Sequence, residues 1–256
     1  MMNTSRKSAF FPASSTRAPA RATACAQAHP HERGNAMIYI LIAIVLFAAL
    51  SLILARQSDN SETGAMNTER TEIAATQILQ TSMQIKQGID QMMYSGSKAA
   101  QLDFTTPDQE PAFSTPPDHH KVFHPAGGGV IINPLPAQAI HQVSNTPPAR
   151  WYVGRVINVE WTNSTAEEII ITAHQISEPV CRALNKRLLG DPTPLAATQN
   201  PRALLIQASV YGGMAPATWL NTHCPSCVDK ISGCMVGPSE VPGEDIYSFY
   251  AIAVSH

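Results

Sequence analysis

Residues 36–55, opening on Ala36 and closing on Ala55, form a run of twenty residues without a charge, a glycine or a proline. A stretch so uniformly apolar has no polar side to turn toward water. As an α-helix it rises roughly 30 Å, the hydrocarbon thickness of a bilayer. The run therefore predicts an N-terminal transmembrane helix that is retained in the finished protein. A cleaved secretory signal fits less well, because the apolar part of such signals is usually about 7–15 residues long. The end of the run, Ile53-Leu54-Ala55, also lacks small residues at both positions that cleavage needs. A buried core helix fits least, since soluble helices keep a polar side.

Charge gives the run a direction. Arg6, Lys7, Arg17, Arg21 and Arg33 precede it against Glu32 alone, and Arg56, Asp59 and Glu62 follow it. Basic residues favour the cytoplasmic side, so a single-pass inner-membrane protein is expected, N-terminus inside and C-terminal region periplasmic or extracellular. The whole chain has a net charge of −2 and only 14% charged residues. Phosphate binding needs a basic patch, so no nucleic-acid partner is expected; membrane lipid is.

Beyond the run the chain divides by composition. Residues 1–34 form a disordered basic leader and 35–56 the transmembrane helix. Residues 57–95 hold a polar tract that frays or breaks the helix, then an amphipathic helix. In that second helix Ile78, Ile85, Ile89 and Met92 share one face, with Leu79 and Met83 on its flank. Residues 96–150 carry nine prolines between 103 and 150, and read as loops with short edge strands. Gly127-Gly128-Gly129 there reads as a turn into a strand at Val130-Ile131-Ile132. Residues 151–256 are a β-rich head domain. Its strands are expected at 151–161, 168–173 and 247–254, with turn chemistry at Asn163-Ser164. One helix is capped by Ser177, has Pro179 in its first turn and stops at Gly190.

Five cysteines supply the nearest thing to a site. Cys25 precedes the run; Cys181, Cys224, Cys227 and Cys234 follow it. Four thiols in an oxidising compartment form two disulfides with three possible connectivities. His223-Cys224-Pro225-Ser226-Cys227 with Cys234 could instead supply four zinc ligands, and its C-x-x-C could be a redox pair. Structural disulfides lead, because residues 228–233 after the motif read as a loop rather than as a helix. Asp118, His119 and His120 share a Pro-rich stretch without helical spacing and read as a solvated loop. Glu167 and Glu168 are neighbours in a strand and so point to opposite faces, which rules out a joint acid–base role. No phosphate loop or nucleophile elbow is present. No catalytic residue, enzyme activity or cofactor is therefore expected.

Glu32-Arg33-Gly34, then Asn35 and an apolar helix, resembles the prepilin-type signal of type IV pilins and type II secretion pseudopilins. The resemblance implies cutting between Gly34 and Asn35 by a membrane prepilin peptidase. It also implies assembly with other pilin-like subunits through Ala36 to Ala55, and a head with a small antiparallel sheet, often disulfide-bonded. The position where the family usually carries a glutamate is Tyr39, and Asn35 replaces the usual Phe or Met. Both point to a minor rather than a major subunit of a type II secretion or type IV pilus apparatus. The cysteine pairing expected is Cys181–Cys234, with Cys224–Cys227 closing a small loop. The fold class is thus α+β: transmembrane and amphipathic helices, then an antiparallel-sheet head with one short helix. The rival is a monomeric anchored periplasmic binding or adhesion domain.

Overall fold

Helix α1 (Ala36–Tyr94) opens the described chain and contains no proline. The structure is a computed structural model that describes residues 36–212 and 218–254, without the side chains of residues 36 and 53–65. The leader, with Gly34 and Asn35, lies outside the described residues, as does Cys25. Two units divide the chain, Met1–Arg56 and Gln57–His256.

In the first unit, the large apolar side chains from Met37 to Leu52 are all at least half exposed. Among the described residues, no helix is long and apolar enough to cross a membrane. This overturns the expected spanning helix and, with it, the single-pass inner-membrane placement. The expected break at 56–67 is also corrected, since α1 is helical throughout it. That tract has no proline, and its one glycine costs only about 1 kcal/mol, too little to stop a helix flanked by strong helix formers.

In the second unit, α1 buries a stripe of Ala75, Ile78, Ser82, Ile85, Ile89 and Met92, spaced by three or four residues, with Ala74 beside it. Met83, placed on the flank of that stripe by its spacing, is 58% exposed. Gly88 belongs to the stripe for a steric reason: a Cβ there would come within 2.1 Å of Val130 Cγ2. The stripe packs into one core with Val122, Phe123, Ile169, Ile171 and Phe249.

The sheet has six strands: β1 (Trp151–Val159), β2 (Glu168–Ile176), β3 (Leu195–Ala196), β4 (Thr218–Trp219), β5 (Ser232–Pro238) and β6 (Asp245–Val254). Their order is β3-β5-β6-β2-β1-β4. The middle pairings are antiparallel, but β3 lies parallel to β5 and β4 parallel to β1, so the sheet is mixed rather than antiparallel as expected. The two parallel partners are two-residue strands delivered by loops, with too little pattern for a sequence to betray.

Both sheet faces are covered, which explains the continuous run Ile169-Ile170-Ile171. Ile169 and Ile171 face the core built on α1 and α2 (Glu178–Leu189). Ile170 faces a second core with Tyr250, Trp219 and Leu204 of α3 (Pro201–Leu205). A further turn of helix, α4 (Ala208–Tyr211), follows it. Among the described residues the head thus holds three α-helices where one was expected. Helix α2 keeps two of its sequence signals, Pro179 in its first turn and Gly190 ending it at φ 77°, while Ser177 stands at the N-cap without a side-chain capping hydrogen bond.

Residues 96–150 form no strand. They are held by short 3-10 turns and two isolated bridges, Asp103 to Lys121 and Ile140 to Ile176. The strand expected at Val130-Ile131-Ile132 is not formed; Ile131 stands 76% exposed, and only the Val130 N–H bonds back, to the Val122 carbonyl.

Candidate functional site

The four head cysteines are joined as Cys181–Cys234 and Cys224–Cys227. Helix α2 sets Cys181 one turn in from its start, where it meets Cys234 in the middle of β5. Asn185, one turn further along α2, fastens the same place. It accepts from the Cys234 N–H at 2.7 Å and donates to the Cys234 and Thr193 carbonyls at 2.9 and 2.8 Å. Cys224 and Cys227 lie on two short 3-10 turns. All four sulfurs are therefore in disulfides, and His223 Nδ1 accepts from the Leu220 N–H. The described residues hold no group of three or more His, Cys, Asp or Glu placed for a metal ion.

The other sequence candidates do not converge on a reaction. His119 and His120 touch ring to ring at 4.0 Å, and His120 Nδ1 pairs with the Ser97 hydroxyl at 3.0 Å. Asp118 pairs with Lys121 at 2.8 Å, and this bond chiefly holds its carboxyl below the usual range. Glu168, the first residue of β2, is buried and accepts from the Thr162 hydroxyl, while Glu167 lies just before the strand and is exposed, so the two are not strand neighbours as expected.

Two buried polar residues of β2, His174 and Gln175, lie beyond the strand expected at 168–173, where His174 reads as one of several histidines in loops; β2 runs on to Ile176. Gln175, at φ 57°, spends its whole amide on one loop. It donates to the Ser144 and Pro147 carbonyls at 2.6 and 2.7 Å and accepts from the Ser144 N–H at 2.8 Å and the Val143 N–H. His174 is 1% exposed, with Nδ1 2.9 Å from the Ser248 hydroxyl and its ring edge-on to Tyr152.

Burial pushes His174 down to about 3, and the Arg202 charge adds to this. The folded protein thus keeps His174 neutral where the unfolded chain, with an ordinary histidine near 6.5, takes up a proton. Below about pH 6.5 the unfolded state binds more protons, so stability falls as pH falls, by about 1.4 kcal/mol per unit, until pH nears 3. The carboxyls held low, Asp108, Asp118 and Asp191, act only below about pH 4. Urea unfolding at pH 5 should therefore show about 2 kcal/mol less stability than at pH 7.5. In His174→Gln most of that difference should vanish; an unchanged difference would assign it elsewhere.

A cavity of about 830 Å³ lies between residues 101–109 and β1, with α4 at one end. Its charges are satisfied within it. Arg150 pairs with Asp108 at 2.6 Å, Arg155 donates to the Ala100 carbonyl at 2.8 Å, and Asp103 accepts from Thr105 N–H and hydroxyl. Nothing there combines a nucleophile with a base. What remains is a polar groove lined by Asp103, Asp108, Arg150 and Arg155, with amides and hydroxyls between them. Comparison with family models, with curated proteins and with solved structures gives no match to this chain.

Proposed function

We propose that the chain is a structural, non-catalytic subunit of the pilin-like or pseudopilin-like class, assembling side by side through the apolar part of α1. The observation that carries this reading is the row of exposed apolar side chains from Met37 to Leu52. Apolar surface of that extent on one helix marks a site that another surface covers. Ala43, Ala48, Ala49 and Ser51 interrupt the bulky residues, and small side chains let two helices approach closely. The prepilin-like Glu32-Arg33-Gly34 and the disulfide-bonded head, built on the same helix, support it further.

Two measurements on the full chain test it. Mass spectrometry of the mature protein should find Asn35 at the N-terminus; an intact leader would remove the processing step. Separately, with Cys25→Ser to clear the free thiol, Ala48→Cys should cross-link into covalent dimers under mild oxidation. Ser95→Cys, outside the apolar stretch, should not. Monomer alone from Ala48→Cys would favour the rival, a binding or adhesion domain that never assembles.

A further inference from the structure

Met92, the last buried residue of α1, meets a turn from the Pro-rich region. The Lys121 N–H donates to the Asp118 carbonyl at 3.1 Å, closing a turn whose two central residues are His119 and His120. Neighbours in a strand point apart, but neighbours at the centre of a turn need not. These two imidazoles lie 4.0 Å apart between ring centres. Ser97 ties the turn to the helix. Its N–H donates to the Met92 carbonyl at 3.1 Å, and its hydroxyl pairs with His120 Nδ1 at 3.0 Å. Met92, His119 and His120 all line one cavity of about 380 Å³. The Met92 sulfur lies against the glycine wall of that cavity, since a Cβ on Gly128 would come within 2.7 Å of Sδ. The other side chains lining it belong to Gln91, Ser95, Ser97 and Ala126. Among the described residues, then, no carboxylate, ammonium or guanidinium borders it.

We propose that this cavity takes one cuprous ion, ligated by a nitrogen of each imidazole and by the Met92 thioether. The inference does not rest on assembly through α1. A bond from a first-row metal to imidazole is about 2 Å long, so rings this close suit a single ion shared between them. The donors select the ion. Thioether sulfur is a soft ligand that favours Cu(I), whereas hard divalent ions seek carboxylates, which are absent from the lining. Structural zinc takes four nitrogen, thiolate or carboxylate ligands, and the cavity offers two imidazoles. Ser97 supplies the outer support that metal-binding histidines use. By holding His120 Nδ1 it fixes that ring and leaves Nε2 for the metal. His119 is exposed at the rim, which gives the ion a way in, while Met92 is 5% exposed and keeps its sulfur away from water.

The test titrates the full chain, carrying Cys25→Ser and with both disulfides intact, with Cu(I) under nitrogen against a coloured cuprous chelator. The chain should withhold one equivalent, and X-ray absorption should find one sulfur and two nitrogens around the copper. Met92→Leu keeps the apolar volume; it should remove the sulfur neighbour and weaken binding at least about tenfold. His119→Ala and His120→Ala should each weaken it by at least as much. His141→Ala should not, since that residue is exposed on another loop, its N–H bonded to the Gln175 carbonyl. An excess of Zn(II) should leave the copper in place. Should Met92→Leu fail to fold, the sulfur neighbour of the parent chain and the two histidine variants decide. The proposal is overturned if no copper is withheld, if the bound copper has no sulfur neighbour, or if zinc displaces it. It is equally overturned if the folded Met92→Leu, or both histidine variants, bind as the parent does.

Discussion

Replacing Cys181 and Cys234 together by alanine is expected to destabilise the head by about 4 kcal/mol. The bridge joins residues 53 apart in sequence, and the chain entropy that a cross-link removes from the unfolded state grows with the logarithm of that loop. Its position adds to the effect, because Cys181 and Cys234 are fully buried and belong to the core that α1 and α2 share with the sheet. Without it, α2 is still fastened to β5 by Asn185 and to α1 by the Arg187–Glu72 ion pair at 2.6 Å. The exposed ion pair adds at most about 1 kcal/mol, so the covalent link dominates that attachment. The Cys224–Cys227 pair supplies the internal comparison. Its sequence separation is 3, and the same argument assigns it about 2 kcal/mol. Urea unfolding of the two double variants should rank them in that order. Equal losses, or a loss below about 2 kcal/mol for the long bridge, would show that loop closure is not what the bridge contributes.

The parts of this fold that were legible in the sequence are those that repeat a period. The stripe at Ile78, Ile85, Ile89 and Met92 is buried as its spacing demands, and β1, β2, α2 and β6 fall within a few residues of their signals. Two kinds of feature were not legible. Strand β5 begins with Ser232 and Gly233, residues that read as loop, and becomes a strand because β6 pairs along its whole length. Its Gly233 has no room for a side chain, since a Cβ would sit 2.8 Å from Leu195 Cδ1. The two parallel edge strands are likewise products of tertiary contact, and they turned an antiparallel sheet into a mixed one.

The apolar run misled in a different way. Its length counted as a bilayer span, but length and apolarity describe what a helix must avoid, which is water, and not what covers it. The groove was invisible for the opposite reason. Its walls come from residues 101–109, β1 and α4, far apart in sequence. The cysteine pattern left three connectivities open, and only the packing of α2 against β5 brings Cys181 to Cys234.

The Pro-rich region should prove as dependent on one cation as the head is on one bridge. Lys121 is 2% exposed, and its Nζ donates to the Ala112 and Phe113 carbonyls at 2.9 and 2.8 Å, to the Thr115 carbonyl, and to Asp118 Oδ1 at 2.8 Å. An ammonium has three protons for these four oxygens, so one bond is shared, and every direction around the nitrogen is used. Residues 103–120 form no strand and hold few regular hydrogen bonds, so this charge stands where a ladder would otherwise stand. Closely packed backbone shows how little slack surrounds it, for a Cβ on Gly127 would lie 2.1 Å from the Lys121 carbonyl oxygen. Lys121→Met keeps the apolar stem and removes the donor from the Ala112, Phe113 and Thr115 carbonyls and from Asp118, groups partly open to water. The expected loss is about 3 kcal/mol, the upper range for hydrogen bonds to a charged group. Asp118→Asn should cost clearly less, because the three carbonyls still hold the ammonium. Hydrogen exchange should then quicken between residues 103 and 121 in Lys121→Met while β2 and β6 keep their protection. A loss below about 1 kcal/mol, or one spread evenly across the head, would mean that prolines and the bridge at Asp103 hold the region without the buried charge.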